Sequence, residues 1–215
     1  MELFRKIYYF QQVTSSPFHQ LSYVIGCQET AKACIIDPSL DYENCVSLLD
    51  KNSLKLEALL LTHSHADQLE SLLELCLNFD LKIYAHPDGL HKLSYIKAHF
   101  ISVLEAHKIS LGNLTFQAFH TPGHTPDSLC FLLENKLFTG DTLHIGGCGR
   151  CDLPQSDPAS LYDSLYRKIK SLPMDLKVYP SHHYGIQPTS TLREEFKNNP
   201  YLQFSSEEEF ILYRK

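Results

Sequence analysis

Thr62-His63-Ser64-His65-Ala66-Asp67-Gln68 follows directly on the apolar run Leu59-Leu60-Leu61. On an extended segment, residues i, i+2 and i+4 project the same way, so this spacing turns two imidazoles and a carboxylate toward one point. A transition-metal site needs that convergence. On a helix His65 would lie on the far side from His63 and Asp67, so the run belongs where a strand passes into a loop. Position 68 is Gln, where a second metal would call for another His. The stretch reads as metal chemistry, with the number of ions left open by that Gln.

Working outward, the flanking sequence alternates strand and helix signals. Short β-branched and aromatic runs bounded by turn residues predict strands at 6–10, 22–25, 33–36, 58–61 and 82–85, with one or two more inside 101–119. Later strands are predicted at 128–133, 137–139 and 177–179. Helical spacing covers 41–52, with Cys45, Leu48 and Leu49 on one side, and 68–78, with Asp67 as its N-cap. Further helices are predicted over 158–169, starting at Ser156-Asp157-Pro158, and over 191–197, before an acidic, aromatic tail. This mixture implies a layered α/β architecture. No repeat, low-complexity tract or linker interrupts it, so residues 1–215 read as one domain.

Apolar residues make up 43% and charged residues 20% of the chain, the balance of a soluble globular protein. Net charge is −6 and the Lys and Arg residues are scattered, which argues against nucleic acid or an anionic membrane as partner. No apolar run approaches the roughly 20 residues of a membrane span. The start Met1-Glu2-Leu3-Phe4-Arg5-Lys6 lacks the pattern of a signal peptide, so a cytoplasmic location is expected. Seven irregularly spaced Cys then read as reduced thiols rather than a disulfide framework. Seven of the twelve His (63, 65, 120, 124, 144, 182 and 183) fall where a strand-like run ends or a Gly/Pro turn begins.

Four segments put metal-type ligands at strand ends. They are His63-x-His65-x-Asp67, then Thr121-Pro122-Gly123-His124-Thr125, then Thr139-Gly140-Asp141-Thr142, and last Tyr179-Pro180-Ser181-His182-His183-Tyr184-Gly185. Pro and Gly force a tight turn that presents His124, and Gly140 lets the backbone come close where Asp141 ends a strand. A lone His is more often core or surface filler, but four such segments in this order form a specific pattern.

In this pattern the chain resembles the metallo-β-lactamase superfamily, and within it the glyoxalase II-like branch of glutathione-thioester hydrolases and persulfide dioxygenases. The block from Phe138 through Gly140, Asp141, Cys148, Gly149 and Arg150 is its most branch-specific part, and 179–200 supports it. The resemblance implies an αββα sandwich, two mixed β-sheets flanked by helices, with the metal site at the edge where the sheets meet. It implies His63, His65 and His124 as ligands of a first metal, Asp141 as a bridging carboxylate, and Asp67 and His182 as ligands of a second. The family has a His where this chain has Gln68, a poor neutral ligand for zinc. One ion is therefore expected to be held tightly and the second site to be weak.

The leading expectation is a zinc-dependent hydrolase of a small thioester, with metal-bound hydroxide attacking the thioester carbonyl. Asp67 and His65 are its candidate catalytic residues, Asp67 orienting the water or acting as general base. The alternative is a mononuclear iron (Fe2+) dioxygenase of glutathione persulfide, in which His63, His124 and Asp141 form a two-His-one-carboxylate face. A third is a degenerate, non-catalytic metal binder. Arg150 is the candidate carboxylate anchor, its rival reading being a structural hydrogen bond, and Tyr184 resembles a tyrosine that touches glutathione. The implied partner is a small thiol-derived molecule, a glutathione conjugate or a carrier-protein thioester, and the chain is expected to be a monomer or homodimer. Cys148-x-x-Cys151 is read as incidental, His120 as a holder of a nearby hydrogen bond, and His86, His91, His99 and His107 as surface residues. Glu207–Glu209 reads as a solvated charge run.

Overall fold

The computed structural model describes residues 8–16 and 19–214, with the side chains of 66–70 excepted. The expected first strand therefore lies partly outside the described residues, and so do the side chains of Asp67 and Gln68. The first sheet runs β1 (Tyr8–Ser15), β2 (Gln20–Cys27), β3 (Lys32–Ile36), β4 (Lys55–Leu60), β5 (Lys82–Ala85) and β6 (His99–Ser102), in that spatial order. Its first three strands pair antiparallel and the rest parallel. Parallel neighbours need crossovers, and α1 (Tyr42–Lys51) and α2 (Ala66–Asn78) supply them, followed by the short α3 (Pro87–Leu90).

The second sheet contains β7 (Lys108–Leu111), β8 (Leu114–His120), β9 (Leu129–Leu133), β10 (Lys136–Gly140), β13 (Lys177–Pro180) and β14 (Ser190–Thr191). A small hairpin of β11 (Leu143–His144) and β12 (Gly147–Cys148) projects after β10. Helices α4 (Pro158–Asp163), α5 (Leu192–Asn198) and α6 (Glu207–Arg214) complete the chain. The predicted 158–169 helix is present but tightens and loosens, α4 passing into a π turn over Ser164–Lys168 and a 3₁₀ turn over Ile169–Ser171. The expected one or two strands of 101–119 are three short ones. The tail is helical, with Glu207–Glu209 at the positive N-terminal end of α6.

Side-chain alternation explains the layering. On β2 and β3, Tyr23, Ile25, Cys34 and Ile36 face Phe116, Ala118, Phe131 and Phe138 of the other sheet. Their neighbours Val24 and Ile35 face outward against Cys45, Leu49, Leu72 and Leu75 of α1 and α2. On the second sheet Leu137 and Val178 face Leu161, Leu165 and Phe210 of the helical layer. Both faces of each sheet are thus covered, giving helix, sheet, sheet, helix, and strands such as β2 are buried at every residue. Among the described residues no helix is long and apolar enough to cross a membrane.

The sheets are stitched together at one edge. The Tyr23 hydroxyl donates to the Pro180 carbonyl, Leu21 N donates to Ser181 O at 2.7 Å, and Leu129 N donates to Thr62 O at 2.7 Å. That edge collects the C-terminal ends of β4, β8, β10 and β13, the four strands after which the ligand segments lie.

Candidate metal centre

His63, His65, His124 and Asp141 come together so that one ligand atom from each lies within 4.8 Å of all the others. The first two come from the loop after β4. Residue 65 is still extended (φ −76°, ψ 153°) and forms the N-cap of α2, which starts at Ala66. This corrects the expectation that Asp67 is the cap. His63 and His65 thus precede the helix, while residue 67 falls in its first turn.

The other two members of the cluster are set by turns. Gly123 has φ +139°, and a Cβ there would come within 2.4 Å of Leu161 backbone atoms. Only glycine lets the turn lie against α4 in this way, and the turn then projects His124. Asp157 locks the same contact, its N–H donating to Gly123 O at 2.8 Å while its side chain caps α4. Asp141 follows the end of β10.

Hydrogen bonds fix the tautomers of two histidines. Thr62 Oγ1 donates its one proton to Asp37 Oδ2 at 2.7 Å, so it must accept from His63 Nδ1 at 3.0 Å. His124 Nδ1 lies 2.9 Å from the Arg150 carbonyl, which can only accept. Both rings thus carry a proton on Nδ1 and turn Nε2 inward, that of His124 toward the Asp141 carboxylate; a second partner on Nδ1 orients a metal-bound imidazole in the same way. His63 Nε2 is buried with no hydrogen-bond partner among the described residues. A buried orphan acceptor is costly, and a cation against it removes the cost. The donor set, three imidazoles and a carboxylate, fits a divalent transition metal.

Asp141 divides its two oxygens. Oδ2 faces His124 Nε2 at 3.2 Å and His63 Nε2 at 3.8 Å. Oδ1 faces His182 Nδ1 at 2.9 Å and His144 Nε2 at 3.8 Å, and accepts from the Ser181 hydroxyl. Burial works to raise the Asp141 carboxyl, but the imidazoles of His144, His124 and His182 hold it well below the usual range. His63 is driven down to about 3 and His144 to about 4, in both cases chiefly by burial, so both are neutral at pH 7. Burial lowers His124 too, but its hydrogen bond to Asp141, the charge of that carboxylate and the Arg150 carbonyl together outweigh that and leave it raised.

His144 is among the strand-end histidines of the sequence, but no role in the site is assigned to it there. It is buried, and its Nδ1 has no partner among the described residues. It sits on the small hairpin, whose carbonyls at His144 and Gly147 accept from Asn199 Nδ2 at 3.3 and 2.9 Å. The available signal was its position three residues after Asp141 in an otherwise apolar run. His86 was read as surface and is buried, its Nδ1 accepting from Asp88 N to cap α3. His86, Asp88 and His120 form a second cluster, but the two rings stack at 3.9 Å and 9°, so their in-plane lone pairs do not converge on one ion. His120 holds the hydrogen bond expected of it, to Pro126 O at 2.8 Å.

A cavity of about 340 Å³ opens beside the centre, walled by His124, Asp141, His144, Arg150, Tyr184 and Arg214 among others. Tyr184 is exposed and stacks on His182 (centroids 5.1 Å, 4°). Arg150 is 67% exposed and donates twice to Asp152, at 2.9 and 2.8 Å. All seven cysteines are free thiols. Burial raises Cys148, to about 12, and Cys151, which makes neither a ready thiolate.

Comparison with known proteins gives one consistent result. The model of the metallo-beta-lactamase superfamily matches residues 16–182. A probable polyketide biosynthesis zinc-dependent hydrolase of Bacillus subtilis is 30% identical over 89% of this chain and 85% of its own. The mitochondrial persulfide dioxygenase ETHE1 of Mus musculus is 34% identical over 87% of this chain and 73% of its own. A hydroxyacylglutathione hydrolase of Francisella tularensis subsp. novicida is 38% identical over 74%, and the match spans 61% of that protein. Among solved structures, ETHE1 from Myxococcus xanthus superposes with a TM-score of 0.88 at 33% identity, over 96% of this chain and 89% of that one.

Proposed function

The chain belongs to the metallo-beta-lactamase superfamily, in its glyoxalase II-like branch, and on that premise we propose that it is a metal-dependent hydrolase of a small thioester. The observation that carries the reading is the largely buried set of His63, His65, His124 and Asp141, with the Nε2 atoms of His63 and His124 oriented inward by Thr62 and the Arg150 carbonyl. A divalent ion held there supplies a water of pKa near 7 and a Lewis acid for a carbonyl oxygen. The protein's part is to hold that ion, with Asp141 balancing its charge, and to seat the thioester in the cavity against Tyr184. Asp67 has the role of general base in this proposal, and His182 and Asp67 that of ligands to a weaker second ion. Similarity over most of its length to a probable zinc-dependent hydrolase of Bacillus subtilis supports a hydrolytic metal.

A second reading, an iron-dependent persulfide dioxygenase, is favoured by the near-complete superposition on ETHE1 from Myxococcus xanthus and by the relative named a persulfide dioxygenase. Two assays on one preparation separate the readings. Protein purified without added metal is analysed for zinc and iron, then loaded with each in turn. Hydrolysis of S-lactoylglutathione or another acyl-thioester by the zinc form is the expected outcome. Its absence, with rapid oxygen uptake on glutathione persulfide by the iron form, replaces the hydrolase with the dioxygenase.

A further inference from the structure

The C-terminal helix delivers a cation to the cavity beside the metal centre. Phe210 of α6 is fully buried against Tyr162, Tyr166 and Phe204 (centroids 5.6, 6.0 and 5.6 Å), which fixes the rotation of the helix. Arg214 lies four residues on, on the same helical face, so its side chain is carried inward rather than to solvent. Its guanidinium stands 5.1 Å from the Tyr201 ring centroid, and Nη2 donates to the Gly149 carbonyl. Nε is buried and has no acceptor among the described residues.

Among the described residues Arg214 has no close ion pair; Asp152 acts on it only at longer range, and the Cys151 thiol also meets it. No carboxylate among the described residues lies within 4.0 Å of Arg214, whereas Arg150, on the same cavity wall, has its fork closed by Asp152. Asp141, the other carboxylate on that wall, is already shared by four imidazoles. A half-buried guanidinium stacked on an aromatic ring, with no carboxylate within 4.0 Å among the described residues, is a ready site for a planar or tetrahedral anion. We propose that Arg214 anchors an anionic group on the substrate, so that the cavity takes a thiol-derived molecule whose far end carries a carboxylate or a phosphate. The proposal rests on the reading that the adjacent centre acts on sulfur-linked substrates. It moves the anchoring role from Arg150, the residue the sequence pointed to, onto the tail helix.

Binding of unreactive thioethers to the metal-loaded protein tests this apart from turnover. Calorimetry compares S-methylglutathione, which ends in carboxylates, S-methyl-4′-phosphopantetheine, which ends in a phosphate, and uncharged S-methyl-N-acetylcysteamine. At least one anionic probe should bind wild type and lose about 10- to 100-fold in affinity in Arg214→Met, with part of the loss restored in Arg214→Lys. The uncharged probe should bind both proteins alike. Whichever anionic probe shows the loss identifies the anion. Arg214→Gln serves if the Met variant melts early. Equal affinity of the anionic probes for wild type and variants overturns the proposal, as does an equal loss for the uncharged probe. Failure of the hydrolase reading shows separately, as no acyl-thioester cleavage with the probe pattern intact.

Discussion

Asp37 holds Thr62 from two directions, accepting its backbone N–H at 2.8 Å and its hydroxyl at 2.7 Å. The contact joins the end of β3 to the start of the loop that carries His63 and His65, and because it uses the hydroxyl proton it dictates which nitrogen of His63 is bare. Thr62→Val keeps the shape and removes the hydroxyl, leaving His63 Nδ1 and one Asp37 oxygen without that partner in a buried position. Zinc affinity measured against a competing chelator should fall about 10- to 100-fold, with a stability loss of about 1–3 kcal/mol in urea. Unchanged zinc affinity would show that the Thr62 hydroxyl does not orient the ligand.

Gly149 abuts the centre from the other side. A Cβ there would lie 2.1 Å from the Asp141 carbonyl oxygen and 2.7 Å from His124 Cβ, and neither atom is the free end of a side chain. Gly149→Ala should push His124 and Asp141 apart and lower metal content well below wild type in elemental analysis. Gly146 is the control. Its φ is +72° but nothing lies within 4 Å of the position. Gly146→Ala should therefore cost about 1 kcal/mol of stability from the left-handed backbone and leave metal content unchanged. Equal metal loss in both variants would mean that backbone strain, not crowding at His124, is responsible.

What the sequence revealed here is local. His63, His65, His124 and Asp141 could be found because strand ends and Pro-Gly turns fix where a neighbouring side chain points, and four such ends at one sheet edge leave little choice. His144 was hidden because its burial depends on Asn199, fifty-five residues away, clasping the hairpin that carries it. Glu207–Glu209 is the largely solvent-facing run that the sequence indicates, but the inward face of the same helix was not legible: Phe210 and Arg214 share it, and their target, Tyr201 with the Gly149 carbonyl, is set by tertiary packing. His86 stands between Ala85 and the polar turn Pro87-Asp88, and the ring it stacks on, His120, is distant in the chain. The helix start was displaced because His65 serves both as a site residue and as the N-cap.

The buried histidines make the metal-free protein sensitive to mild acid. His144 and His63 are depressed to about 4 and about 3 in the folded state, against about 6.5 in an unfolded chain. Below pH 6.5 the unfolded chain takes up protons that the folded state refuses, so stability is full above that pH and declines from 6.5 toward 4. His124 works in the opposite sense, since its raised value favours the folded state in acid, but two depressed groups oppose one. The urea midpoint of chelator-stripped protein should be lower at pH 5 than at pH 7.5, and His144→Phe should shrink that difference. An undiminished difference in the variant would remove His144 from the account.

Gln68 bears on the number of ions. Asp141 Oδ1 faces away from His63 and His124, toward His182, and the Ser181 hydroxyl also reaches it. One carboxylate oxygen and one imidazole therefore already stand on the side where a second ion would bind, and the first turn of α2 lies next in the chain to His65. A neutral amide at 68 adds little to such a site, whereas an imidazole is among the best ligands for zinc. Gln68→His should raise zinc bound after dialysis from near one per chain toward two. Adding His182→Ala should return it to one, because that variant removes the second-side imidazole and spares the His63–His65–His124 set. If Gln68→His still holds a single ion, the residue at 68 is not what limits the second site.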